Sequence, residues 1–237
     1  MSKKFYQLDD TEPEAELYIF GDITSNSWRD ADKGGYDIVK ELKDVTAPAI
    51  NVHINSYGGE VSEGLAIYNA LRESGKTIST IDDGFACSAA SVIFMAGQNR
   101  IMNPASLLMI HNAWTFAYGN SNELRKQADD LDTITSASIE AYKSVATISE
   151  DEIKNLMDNE SWIKPEDAVA YGFATAIAGK DEADGAQQSA RSLIFEKLTE
   201  PKEDIDKLAK AVAELRDEIV KNPEKKDPWN EFFKKGN

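Results

Sequence analysis

Apolar and polar residues alternate along Glu16-Leu17-Tyr18-Ile19-Phe20-Gly21, and that period of two predicts a β-strand. From Tyr36 to Leu42 the period lengthens, with Ile38, Val39 and Leu42 on one side, as in a helix. Pro48 to Asn55 returns to alternation through Ile50, Val52 and Ile54, a second strand. Past Gly58-Gly59, the residues Val61, Leu65, Tyr68 and Leu71 recur at helical spacing. Thr77 to Ile81 is strand-like and Gly84 marks a turn. The small and apolar run from Ala86 to Gly97 predicts a helix buried on every side. A short apolar strand, Ser106 to His111, follows Asn103-Pro104.

Strands alternating with helices predict crossover βαβ units, hence an α/β fold with a mostly parallel sheet. Residues 120–148 predict a long polar helix with Leu124, Leu131, Ile134, Ile139 and Tyr142 along one face. Ser149 followed by Glu152 is a capping box, which predicts a short helix running to Met157. Pro165 to Tyr171 predicts another, with proline in its opening turn and Gly172 at its close.

Beyond Gly179 the composition turns polar, from Lys180-Asp181-Glu182 to Gln187-Gln188-Ser189. The predicted organisation is therefore a body over 1–179, a linker over 180–200 and a helical tail over 201–237. In the tail Ile205, Leu208, Val212, Leu215 and Ile219 follow one another at heptad steps. Two heptads suit either a short coiled coil or one amphipathic helix lying on the body.

Composition narrows the function classes. Hydrophobic residues make up 41 % of the 237, enough for a core, and the formal charge is −16. Residues 1–179 hold 14 basic and 28 acidic residues, so the acidity belongs to the body. Without a basic cluster, no nucleic-acid partner is expected. No apolar run reaches the ~18–20 residues of a membrane span. The single Cys87 has no partner for an internal disulfide, and Met1-Ser2-Lys3-Lys4 does not open a secretory leader, so a cytoplasmic protein is expected.

Two histidines limit imidazole chemistry to His53 and His111. His53 lies mid-strand between Val52 and Ile54, where a structural or surface role is the simpler reading. His111 ends a strand, at the edge where α/β proteins build their sites, and a structural role stands equally beside a chemical one. In Gly84-Phe85-Ala86-Cys87-Ser88-Ala89-Ala90-Ser91, a strand passes through glycine and small residues into a helix, which can present the Ser88 hydroxyl. The same small residues also serve close packing of a buried helix, and both readings stand. Cys87 is the weaker nucleophile candidate, since a small cysteine beside a helix opening is commonly buried. Ser91 is expected inside. Asn55-Ser56-Tyr57-Gly58-Gly59 can offer backbone N–H groups to an oxyanion, or simply make a tight turn.

Four ordered segments carry a resemblance: Ile54-Asn55-Ser56-Tyr57-Gly58-Gly59, Gly84-Phe85-Ala86-Cys87-Ser88, Met109-Ile110-His111-Asn112, and Pro165-Glu166-Asp167-Ala168-Val169-Ala170-Tyr171-Gly172. Over about residues 15 to 178 the chain resembles the Clp protease proteolytic subunit family. The resemblance implies the ClpP/crotonase-like βαβ superhelical fold, with a protruding handle helix at 120–148 and here a C-terminal helical tail. It implies Ser88 as nucleophile, His111 as its base, and Gly58, Gly59 and Ala89 as oxyanion donors. Counting back from Tyr171-Gly172 puts the third member at Glu160, with Asp158 as the competing carboxylate.

Tyr57 stands where the family usually has proline, and Ala89-Ala90 where it has Met-Gly. With Glu160 and the tail, these departures resemble the ClpP-like head maturation proteases of phages and prophages, which act on capsid or scaffold protein. The resemblance thus implies a serine endopeptidase needing no metal or other cofactor. It also implies a homo-oligomer, in a heptameric ring or double ring, working in the cytoplasm or within a procapsid. The rivals are a housekeeping subunit served by an AAA+ unfoldase, an acyl-CoA enzyme of the crotonase-like superfold, and a non-catalytic capsid-assembly scaffold. The chain has no Gly-x4-Gly-Lys-Ser/Thr loop, so any ATP-driven unfolding must come from a partner.

Overall fold

A computed structural model describes residues 6–25 and 35–180. The predicted linker and heptad tail lie outside the described residues. The strands are β1 (Tyr6–Asp9), β2 (Glu14–Phe20), β3 (Ala49–Ser56), β4 (Thr77–Cys87), β5 (Asn99–Met102), β6 (Leu107–Ile110), β7 (Ser161–Ile163) and β8 (Ala176–Ile177). The helices are α1 (Gly35–Asp44), α2 (Val61–Glu73), α3 (Ala89–Phe94), α4 (Ser121–Lys143), α5 (Glu150–Asp158) and α6 (Pro165–Ala170). The alternation of strand and helix seen in the residue pattern is the α/β architecture found.

The sheet runs β1-β2-β3-β4-β5-β8, parallel from β2 onward, with β1 antiparallel at its edge. Leu17 and Ile19 of β2 and Ile50, Val52 and Ile54 of β3 are wholly buried. They meet Ile38 and Leu42 of α1 and Ile67 and Leu71 of α2 in one apolar cluster. Burying that surface at ~25 cal/mol per Å² is what holds the helices on the sheet.

β4 makes the site possible by changing partners. Its first half, Ser79 to Asp82, pairs with β5, and its second half, Phe85 to Cys87, pairs with β6. The switch coincides with a bulge against β3, where Ile54 faces Asp82 but Ser56 faces Ala86. The glycine turn predicted at Gly84 is therefore a bulge inside a continuous strand. Asn55 Oδ1 accepts the Phe85 N–H at 3.3 Å in place of a ladder bond. A Cβ on Gly84 would lie 2.8 Å from that oxygen, so a larger residue there would displace the Asn55 side chain from this bond.

The buried helix expected over 86–97 shortens to the six residues of α3, all buried, because the strand consumes its start. The predicted apolar face of α4 is also shorter than its sequence suggests. Ile139 and Tyr142 are buried, while Leu124 and Ile134 stand 44 % and 40 % exposed. The capping boxes at Asn120–Glu123 and Ser149–Glu152 fix the starts of α4 and α5.

Candidate active site

Three parallel strands deliver the site from their carboxyl ends: Gly58-Gly59 follows β3, Ser88 follows β4 and His111 follows β6. Pairing of β4 with β6 sets Cys87 beside Met109, and Ser88 then donates its N–H to the Met109 carbonyl at 2.9 Å. His111 Nε2 lies 2.7 Å from Ser88 Oγ. Ser88 has φ 55 and ψ −125, a left-handed turn between strand and helix that lifts its side chain off the buried α3. Cys87 points inward, with no exposed surface, and burial pushes its thiol pKa up to about 12, so it is no thiolate nucleophile.

His111 is half-buried, and desolvation lowers its pKa below 6.5, partly opposed by the negative charge of Glu160. Burial thus favours the neutral imidazole, whose unprotonated Nε2 can accept the Ser88 proton. The antiparallel pairing of Ile110 with Ser161, carried one residue further, sets Glu160 opposite His111. Among the described residues, no carboxylate hydrogen-bonds the other ring nitrogen. Asp158 instead accepts the Asn112 side-chain amide at 2.7 Å. Of the two predicted carboxylates, Glu160 is the one whose charge acts on the imidazole.

Gly58 and Ala89 press together. A Cβ at Gly58, whose φ is 95, would lie 2.6 Å from the Cys87 carbonyl oxygen and 2.7 Å from Ser88 Cβ. The Gly58 N–H is already spent on Ser56 Oγ at 3.0 Å. Of the three predicted oxyanion donors, Gly59 and Ala89 keep N–H groups with no partner among the described residues, and Gly58 makes close approach possible. All three line, with Ser88 and His111, a cavity of about 570 Å³.

Beneath the serine runs a second polar chain that residue spacing does not disclose. Tyr142, fully buried on α4, donates its hydroxyl to Ser91 Oγ at 2.7 Å, and Ser91 donates to the Ser88 carbonyl at 2.6 Å. Desolvation holds the Tyr142 phenol protonated. His53 lies away from this cavity. It bridges Asp83 at 2.7 Å and Glu16 at 3.1 Å and stacks on Tyr18, a surface role.

Fold and site together define a mixed α/β protein with a serine–histidine pair and free backbone amides at the carboxyl ends of parallel strands. The chain belongs to the Clp protease family, which residues 38–181 match. Its similarity to the ATP-dependent Clp protease proteolytic subunit of Deinococcus radiodurans is 34 % identity over 130 residues, 54 % of this chain and 64 % of that protein. To the subunit of the same name from Pleurastrum terricola it is 30 % over 131 residues, 54 % of this chain and 67 % of that protein. The chain thus spans about two thirds of the length of these relatives. No helix among the described residues is long and apolar enough to cross a membrane.

Proposed function

We propose that the chain is a serine endopeptidase. His111 takes the proton of Ser88 Oγ as that oxygen attacks the scissile carbonyl. The N–H groups of Gly59 and Ala89 hold the oxyanion, and His111 then protonates the leaving amine. Water repeats the sequence on the acyl-enzyme, with Glu160 stabilising the imidazolium. The observation that carries this reading is the 2.7 Å contact between His111 Nε2 and Ser88 Oγ. Neither metal nor nucleotide enters these steps. The test is labelling by a fluorophosphonate probe: it is expected on the wild-type chain and lost in Ser88→Ala, and an unlabelled wild type in every oligomeric state overturns the reading.

The finer reading is a head maturation protease acting on capsid or scaffold protein, in a homo-oligomeric ring. Tyr57 before Gly58-Gly59, Ala89-Ala90 after the serine, and Glu160 at the third position support it over a housekeeping subunit. The matched relatives are named ATP-dependent, which keeps an AAA+ unfoldase as the competing partner. Native mass spectrometry gives the subunit number. Degradation of a folded substrate only with added unfoldase and ATP would favour the housekeeping role.

A further inference from the structure

The acidic residues lining the cavity are Asp22 and Glu60, and among the described residues no lysine or arginine lines it with them. Both are tied to the oxyanion turn by backbone. Ile23 donates its N–H to the Gly58 carbonyl at 2.8 Å, and Glu60 donates its N–H to the Ile23 carbonyl at 2.9 Å, so Asp22 and Glu60 flank a bridge closed on Gly59. Glu60 is anchored: it accepts from Thr24 Oγ1 at 3.0 Å, from the Ser25 N–H at 3.1 Å and from Ser25 Oγ at 2.5 Å. Those donors stabilise its ionised form. Ser138 of α4 also lines the cavity; the residue is 6 % exposed, and its hydroxyl makes no hydrogen bond among the described residues.

We infer that this cleft selects peptides carrying a lysine or arginine side chain beside the scissile bond. The inference rests on the endopeptidase reading and names its substrate class. Fixed negative charge next to amides that must hold an oxyanion opposes the reaction unless the substrate brings a cation, so the preference enters the transition state as well as binding. A substrate N–H group reaching the Ser138 hydroxyl would gain a hydrogen bond at the cavity wall. An acidic side chain meets two carboxylates and is rejected.

The test is a set of internally quenched peptides differing at one position at a time around a single cleavable bond, with lysine, norleucine or glutamate there. At one or more positions kcat/KM for lysine should exceed that for glutamate by about tenfold or more, a difference of ~1.4 kcal/mol. Glu60→Gln and Asp22→Asn should each shrink that ratio several-fold, and so should raised ionic strength. Equal cleavage of lysine and glutamate peptides, or a ratio that both variants leave intact, overturns the inference while probe labelling of Ser88 leaves the endopeptidase reading standing. A chain that neither labels nor cleaves any peptide takes both down together.

Discussion

Ser88 and Glu160 are the two non-glycine residues with left-handed backbone among those described, at φ 55 and φ 46; Ser88 contacts the His111 imidazole and Glu160 acts on it by its charge. Such conformations cost of order 1–3 kcal/mol each and persist only where surrounding structure imposes them. At Ser88 the imposing contacts are the Met109 carbonyl in front and the fully buried α3 behind.

Strain at the nucleophile separates two inactive variants. Ser88→Ala keeps the left-handed turn with a Cβ in place, whereas Ser88→Gly adopts it freely. Both should lose peptidase activity and probe labelling. Ser88→Gly should nevertheless be the more stable by about 1 kcal/mol, offset in part by the entropy glycine gives the unfolded chain. Denaturant melts of the pair check this, and equal midpoints would show that the turn is unstrained.

The acidic limb of the pH profile should report His111. Activity requires the neutral imidazole, so kcat/KM rises with pH through a midpoint below 6.5, where burial places it. The Glu160 carboxylate favours the protonated ring. Glu160→Gln should therefore move that midpoint to still lower pH while cutting the rate on the order of tenfold or more. Asp158→Asn, which removes a partner of Asn112 rather than of His111, should leave the midpoint in place. A midpoint that follows Asp158 instead would exchange their roles.

How much of this could be read from residue order depends on the range of the interaction. The long alternations of β2 and β3 and the helical spacing of α2 are local patterns, and they formed as read. β5, β7 and β8 have only four, three and two residues, too few for a period, and they exist because a neighbouring strand pairs with them. The Ser88–His111 contact was within reach because the chain has so few histidines and because both residues end strands. The occupied Gly58 N–H, the Tyr142–Ser91–Ser88 chain and the carboxylates at the Ile23 bridge depend on which strands meet. Spacing alone carries no trace of them.

Gly58→Ala should damage the site from outside the chemistry. The new Cβ would lie within 2.9 Å of Ala89 N and closer still to Cys87 O and Ser88 Cβ, at a φ of 95 that L side chains rarely adopt. Either the glycine turn or the serine turn must move. The expected result is a destabilisation of about 1–3 kcal/mol and a rate loss on the order of a hundredfold. Thermal melts and rates of probe labelling measure the two effects separately, and a folded variant labelling at the wild-type rate would show that the approach of the two turns is unnecessary.

Asp82 gives the fold a pH dependence of its own, at the point where β4 changes partners. Its side chain is fully buried, and desolvation raises its pKa from 3.8 to about 7. Oδ1 accepts the Gly84 N–H at 3.1 Å, while Oδ2 has no hydrogen-bond partner. Ser106 faces the carboxyl closely enough to favour ionisation, yet its hydroxyl also makes no hydrogen bond. The folded-state pKa lies above the unfolded value, so this group's contribution is fully present below about pH 3.8 and is lost progressively as pH rises to about 7. The loss is on the order of a few kcal/mol. Asp82→Asn keeps an acceptor for Gly84 and turns the unpaired oxygen into a donor facing Ser106. It should raise stability at pH 8 and flatten the dependence of stability on pH between 4 and 7. Urea melts across that range decide: parallel curves for wild type and variant would mean that Asp82 ionises in the fold as readily as in the unfolded chain.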